Sequence, residues 1–298
     1  MQEFVRKLSM RLQAAADLVT AGNRVADVGT DHGFLVIYLV QSGRCPGAVA
    51  MDIREGPLER AREHIREAGL QGSIRTRLSD GLRELTPGEA ECAAAVGMGG
   101  LTILHVLEDA GEKLQSFQEL VLGPQSDIAK VRRWLREHNM YIDKEELVLE
   151  GGKFYPLLHV DMNPRQGPAG AAGTCGSDTK GRPYSAAESK NEAGKPAHGL
   201  FMERLGDSAR VQDVFDRYGE YPVCHRHPVL PLLLERDRMR EEAILRGLEK
   251  EAGMFQTCSV ADRKQQRRED AQARLEEIGI LLEFLSETKK TPGKGERA

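Results

Sequence analysis

Val25-Ala26-Asp27-Val28-Gly29-Thr30-Asp31-His32-Gly33 is the stretch that decides the fold. It reads as an apolar strand that ends in a glycine-bearing turn and runs into a helix from about Leu35. Such a unit cradles nucleotide-like ligands, because glycine lets the backbone come close and a helix N-terminus presents N–H groups without intrahelical partners.

Strands and helices alternate outward from that turn. Ser9 to Val19 predicts a leading helix with Leu12, Ala15, Ala16 and Val19 on one face. Arg6, Lys7 and Arg11 near its start read as a solvated face, with RNA contact as the alternative. Val25 to Val28, Gly47 to Ile53, Ile74 to Leu78, Ala93 to Val96 and Glu119 to Leu122 predict five strands. Phe34 to Gln41, Pro57 to Glu67, Leu101 to Leu107 and Ile128 to His138 predict the helices between and after them. Leu147 to Leu149 with Phe154 to Val160 predicts a closing antiparallel hairpin. That rhythm is α/β, a doubly wound, Rossmann-like parallel sheet.

Composition narrows the class. A chain of 298 residues, 40% hydrophobic and 30% charged, is long for one domain and predicts two. A net charge of -4 carries no global basic signature, so any nucleic-acid contact must come from a local patch. Cys45, Cys92, Cys175, Cys224 and Cys258 lack paired spacing, which signals neither a disulfide framework nor a zinc site and fits a reducing cytoplasm. No apolar run approaches the roughly 20 residues needed to span a bilayer. Met1 to Leu12 lacks the apolar centre of a signal peptide.

In doubly wound sheets ligands bind beyond the C-terminal strand ends. Those ends carry Asp27 to Gly33, Asp52 with Ile53, Asp80 with Gly81, Gly97-Met98-Gly99-Gly100, and Pro124 with Gln125, which are expected to converge on one crevice. Asp52 lies near the position, about 20 residues beyond the glycine turn, where an acid meets ribose hydroxyls. The dinucleotide pattern G-x-G-x-x-G fails, since Asp31 and Phe34 stand where it needs glycine after Gly29. A carboxylate there opposes a pyrophosphate, so S-adenosyl-L-methionine is the favoured cofactor, bound by Asp27, Gly29, Thr30, Gly33, Asp52 and Ile53. Bland readings stand beside these. Asp27 and Asp52 could be caps, Asp80 an Asp-Gly turn, the glycine run an ordinary loop and His32 a structural residue.

Five stretches together resemble the bacterial tRNA (adenine-22-N1)-methyltransferases: Ser9-Met10-Arg11-Leu12, Asp27 to Leu35, Asp80-Gly81-Leu82, Gly97-Met98-Gly99-Gly100 and Gly152-Lys153-Phe154-Tyr155. The resemblance spans roughly residues 5 to 160. It implies a class I methyltransferase that uses S-adenosyl-L-methionine to methylate N1 of an adenine in the tRNA D-arm. It further implies that Asp80 and Gly97 to Gly100 border cofactor and base, with Pro124, Gln125 and Tyr155 on the RNA side. Two departures stand out. The family usually has Ala-Tyr-Leu-Pro after the Asp-His pair, against Gly33-Phe34-Leu35-Val36 here, and Leu-Gln-Pro-Asn after strand five, against Leu122-Gly123-Pro124-Gln125. Methylation leaves a cationic adenine, which a carboxylate would stabilise. Asp31 and Asp80 are the candidates, with His32 as a positioning group.

Residues 1–162 therefore form the expected catalytic domain. Residues 163–199, rich in glycine, proline and small polar residues, predict a disordered insertion. Residues 200–298 predict a helical domain. Leu230, Leu234, Ile244 and Leu248, then Ala271, Leu275, Ile278, Leu282 and Leu285, keep heptad spacing and predict an antiparallel coiled-coil hairpin turning near Gly253. Lys264 and Arg267 continue that stripe toward the tip, flanked by Arg263 and Arg268. They either pair with Glu241 or Asp237 across the seam or grip tRNA phosphates. Cys224-His225-Arg226-His227 lacks further ligands at metal spacing, so no metal is expected. The rivals to a tRNA methyltransferase are a class I enzyme acting on a protein or small molecule, and a non-catalytic RNA-binding scaffold.

Overall fold

The computed structural model describes residues 7–163, 175–177, 183–184, 204–250 and 258–286. Contacts divide the chain into two units, residues 1–172 and 173–298.

The first unit is a seven-stranded sheet of β1 (Val25–Val28), β2 (Ala48–Asp52), β3 (Ile74–Leu78), β4 (Cys92–Met98), β5 (Glu119–Pro124), β6 (Tyr141–Glu150) and β7 (Lys153–Asp161). The order is β3-β2-β1-β4-β5-β7-β6, with the first five parallel and β7 inserted antiparallel between β5 and β6. Chain order reverses between β1 and β4, and the crevice lies at such a switch point. The helices are α1 (Met10–Leu18), α2 (Phe34–Gln41), α3 (Glu55–Glu67), α4 (Gly100–Ala110) and α5 (Ile128–Glu137). Ser9 caps α1 by accepting the Leu12 N–H at 3.4 Å.

Alternation along β1 explains why both faces are covered. Val25 joins the core under α2 with Leu35, Leu39 and Ile65, whereas Ala26 and Val28 join the core under α4 and α5 with Ile103, Leu107 and Leu135. Burial on both sides leaves every residue of β1, β2 and β5 buried and accounts for their mostly apolar sequences. The hairpin is longer than its apolar pattern predicts. Tyr141 to Glu146 is charged and reads as loop, yet Glu145 is buried against Arg132 of α5 and Asp143 meets His159 of β7. Tertiary partners for those charges let the strand start early.

A buried polar knot anchors the end of α1. Glu119 accepts from the Thr20 N–H and Asn23 Nδ2, both at 3.0 Å, and meets His159 Nε2 at 2.8 Å. Burial alone would lower the pKa of His159, but Asp143 and Glu119 override it and hold it up to about 9. Burial likewise pushes Glu119 up, and the donors from His159, Thr20 and Asn23 bring it down to about 2.

The second unit contains β8 (Cys175–Ser177) paired with β9 (Pro183–Tyr184), then α6 (Ser208–Tyr218), α7 (Glu220–Cys224), α8 (Leu230–Lys250) and α9 (Cys258–Ser286). Apart from Asn163 and that short strand pair, the insertion expected over 163–199 lies outside the described residues, as does the turn near Gly253. Arg274 bonds Glu241 at 3.1 Å and Arg268 approaches Glu249 at 3.9 Å, so α8 and α9 run antiparallel. Leu230 and Leu234 are buried on α8, and Ala271, Ile278, Leu281 and Phe284 on α9. Leu281 and Phe284 are buried more deeply than the heptad positions Leu282 and Leu285. The physical reason is a second packing partner: Arg226, just after α7, lies 4.2 Å over the Phe284 ring, and Arg217 of α6 pairs with Glu277.

Toward the other end of α9, Lys264 and Arg268 are half-buried while Arg263 and Arg267 are exposed. The stripe therefore passes through Arg268 rather than the expected Arg267. Glu241 is taken by Arg274, and Asp237 is bonded by Arg236. In the Cys-His-Arg-His run, His225 stacks on Tyr221 at 3.9 Å and His227 Nδ1 accepts the Val229 N–H at 3.2 Å. Among the described residues no helix is long and apolar enough to cross a membrane.

The knot makes stability pH-dependent. The His159 contribution is complete below its unfolded pKa of about 6.5 and is lost as pH rises through about 9, on the order of 2 kcal/mol by pH 10. Tm measured from pH 6 to 10 is expected to fall further for the wild type than for His159→Gln, narrowing the gap between them.

Candidate active site

The turn after β1 leans on β2. Gly29 and Thr30 both donate their N–H to the Met51 carbonyl, at 2.8 and 3.0 Å, and the Gly33 N–H closes the turn on the Thr30 carbonyl at 2.9 Å. Gly29 at φ +74° and Gly33 at φ +71° use the left-handed region that glycine enters freely. Asp31 joins them at φ 46°, a conformation Asp tolerates better than most residues. A Cβ on Gly29 would lie 2.8 Å from Met98 Cε, so the flexible end of that side chain would have to shift. The turns after β1 and β4 thus touch across the switch point.

Behind this contact, Asp27 is 4% exposed. Burial, with a smaller push from the Asp52 carboxylate, raises its pKa to about 6. The Thr30 hydroxyl beside the Asp27 carboxylate tempers that rise, and His32 Nδ1 is buried with no hydrogen-bond partner among the described residues. Asp52, 6% exposed at the end of β2, accepts the Arg54 N–H at 2.9 Å. Beside it opens a cleft of about 530 Å³ lined in part by Ile53, Leu78, Ser79 and Asp80. Ile53 and Leu78 are 60% and 51% exposed, an apolar surface suited to a flat ring. Asp80 sits 3.4 Å from Arg83, and Gly81, at φ +58°, packs on Val106 of α4.

On the other side of Met98 lies a second cluster. A Cβ on Gly97, at φ +92°, would lie 3.7 Å from Gln125 Nε2 and 3.8 Å from Arg11 Nη1. The Gln125 N–H donates to the Met98 carbonyl at 2.9 Å, and Pro124 stands opposite Met98 in the β4–β5 register. The Gly100 N–H donates to the Ser126 carbonyl at 3.0 Å. Gly99 is the N-terminal cap residue of α4. Tyr155 of β7 carries the Arg11 guanidinium 5.2 Å from its ring centroid.

Asp31 and His32 form a third group, facing α3. Asp31 bonds Arg60 at 2.8 Å and lies 3.5 Å from His32 Nε2. The His32 ring stacks on Phe34 with centroids 5.1 Å apart, and His64 Nδ1 meets the His32 carbonyl at 2.9 Å. Arg60 and His64 carry no motif in the sequence, and only packing of α3 on the β1 turn brings them to Asp31 and His32. Arg263, Lys264, Arg267 and Arg268 belong to the second unit. The departures at Val36 and Gly123 are core positions. Val36 is fully buried, and a Cβ on Gly123 would meet Leu157 and Val96 at 3.0 Å. Of the departures weighed, Gln125 alone is exposed.

These residues fit the adenosyl cofactor expected from the sequence. Thr30 offers a buried hydroxyl beside Asp27, Asp52 a carboxylate for ribose hydroxyls, and Ile53 with Leu78 an apolar wall.

Comparisons with known proteins agree. A family model described as a methyltransferase domain matches residues 8–158. The tRNA (adenine(22)-N(1))-methyltransferase of Bacillus subtilis is 35% identical over 159 residues, covering 53% of this chain and 67% of the relative. The crystal structure of the B. subtilis m1A22 tRNA methyltransferase TrmK shares the fold, with a TM-score of 0.68 and 23% identity over 93% of this chain and 99% of that one. So does M. capricolum TrmK in complex with S-adenosyl-homocysteine, with a TM-score of 0.62 and 22% identity over 93% of this chain and 100% of that one.

The two turns tolerate added atoms differently. A methyl at Gly100 would lie 2.3 Å from the Ser126 carbonyl oxygen, which is backbone, whereas at Gly29 it meets the mobile end of Met98. Urea denaturation is expected to show Gly100→Ala destabilised by about 2–3 kcal/mol and Gly29→Ala by about 1–2 kcal/mol, the latter from its positive φ.

Proposed function

We infer that this chain, which belongs to the bacterial tRNA (adenine-22-N1)-methyltransferase family, transfers a methyl group from S-adenosyl-L-methionine to N1 of adenine 22 in the D-arm of bacterial tRNA. The observation that carries the reading is the contact of the Gly29 turn with Met98, which sets the Asp27–Asp52 side next to the exposed backbone of Gly97 beside Gln125. Asp27, Gly29, Thr30, Gly33, Asp52 and Ile53 hold the cofactor in this reading, with Asp80 and Gly81 at the ring end of the cleft. Gly97, Met98, Gly99 and Gly100 separate it from the base, and Pro124, Gln125 and Tyr155 frame the acceptor.

The cofactor supplies a methyl already activated by a sulfonium centre. N1 of adenine is a lone-pair nucleophile, so the protein's task is alignment and exclusion of water more than proton abstraction. The product adenine is cationic, and Asp31 and Asp80 are the carboxylates available to meet it. Asp31 is already shared with Arg60 and Asp80 with Arg83, which tempers either charge. N1 lies on the pairing edge, so the base must leave its stack, at a cost of a few kcal/mol that contacts elsewhere on the RNA offset. Exposed Arg263 and Arg267, with half-buried Lys264 and Arg268, suit that role, on an α8–α9 pair that we read as a coiled-coil hairpin. A tRNA substrate fits a cytoplasmic location. Core placement of Val36 and Gly123 removes the main motive for a scaffold without activity.

Labelled S-adenosyl-L-methionine with unmodified bacterial tRNA is expected to yield N1-methyladenosine at position 22. Transfer only to a protein or small molecule, or none despite cofactor binding, would overturn the substrate. Asp31→Ala and Asp80→Ala then separate the two carboxylates, the critical one lowering kcat by about 100-fold.

Cofactor affinity should also follow pH. Free Asp27 is largely protonated below about pH 6, and a cationic ligand favours its ionised form, so binding releases a proton there. Calorimetry is expected to show affinity rising up to about tenfold per pH unit below pH 6 and levelling above pH 7. Asp27→Asn should flatten the profile.

A further inference from the structure

We propose that Arg11 is a positioning residue for the acceptor RNA, its guanidinium binding the phosphodiester beside the adenine that enters the opening between Gly97 and Gln125. The inference rests on the RNA reading above and adds a contact that α1 supplies.

Arg11 stands at the start of α1, and its bland role would be a surface ion pair. The geometry argues otherwise. Its nearest carboxylate oxygen, Glu150 Oε2, is 3.8 Å away, beyond hydrogen-bond range. The other oxygen of Glu150 accepts the Met10 N–H at 2.7 Å, so Glu150 docks the helix start on the β6–β7 hairpin. No hydrogen bond among the described residues engages the Arg11 guanidinium. Instead it lies over the Tyr155 ring, which holds a planar cation without consuming its N–H donors. The side chain is 33% exposed, so those donors reach solvent.

They lie beside the exposed backbone of Gly97. Arg11 Nη1 and Gln125 Nε2 lie 3.8 and 3.7 Å from the point where a Gly97 Cβ would stand. An amide able to read a base edge and a guanidinium able to take two phosphate oxygens therefore flank one patch of bare backbone. A base drawn out of a stack brings its own phosphate with it, and a forked donor at the rim fixes where that base enters. The Glu119 knot beyond the far end of α1 holds the helix, and with it Arg11, against the sheet.

The test uses the full-length protein, unmodified tRNA and three variants. Arg11→Ala is expected to raise KM for tRNA about tenfold with kcat changed less than about threefold, and to lower the slope of log affinity against log salt by about one. Arg11→Lys should restore the salt slope and part of the KM. Tyr155→Leu should raise KM while keeping the slope, because the charge remains but loses its support. Cofactor affinity of Arg11→Ala, read by calorimetry, should match the wild type. An unchanged KM and salt slope in Arg11→Ala, or a loss of cofactor affinity alongside tRNA affinity, overturns the proposal. A wild-type protein that neither binds nor methylates tRNA overturns the functional reading itself, and this inference with it.

Discussion

The turn after β1 lies against the end of β4 through Gly29, whose bare backbone meets the Met98 side chain and whose φ of +74° glycine enters freely. The neighbouring turn is more restrictive, since a Cβ on Gly100 would stand 2.3 Å from the backbone carbonyl oxygen of Ser126. The Gly29 contact at the switch point of a parallel sheet leaves two groups of side chains on opposite sides of one methionine. Asp27, Thr30 and Asp52 lie on the first side, Gln125, Arg11 and Tyr155 on the second.

Charge buried elsewhere serves the same arrangement. Glu119 sits at the start of β5, far from the strand ends in chain terms, yet it collects Thr20, Asn23 and His159 and so secures the segment that follows α1. The opposite end of α1 is secured by Glu150. A helix pinned at both ends delivers Arg11 to a fixed place over Tyr155, where a freely rotating cation would contribute charge but little direction. The second unit follows a looser logic. Its long helices pair through Leu230, Leu234, Ala271 and Ile278, while α6 and α7 widen the buried face of α9 around Phe284.

The parallel strands, the helices between them and the glycine turns were legible in the sequence because their causes are local, whereas the order of the strands came only with the tertiary structure. Apolar runs mark strands buried on both faces, period-3.6 patterns mark the helices, and glycines mark positions with φ > 0. The motif positions from Asp27 to Gly33 and from Gly97 to Gly100 followed from the same local signals. The early start of β6 was not legible, since Asp143 and Glu145 look like loop residues until Arg132 and His159 arrive to pair with them. The shift of the α9 stripe from Arg267 to Arg268 was hidden for a similar reason. A heptad describes two helices, and α9 meets a third surface.

Sequence alone thus determined the α/β class, the cofactor type and the family, because those depend on residue types at fixed spacing along the chain. Tertiary structure decided which side chains face the same opening. It set Asp31 on Arg60, buried Val36 and Gly123 away from the site, and brought Arg11 to Gln125 from the other end of the unit. Such meetings depend on distances between elements far apart in the chain, and no local pattern encodes them.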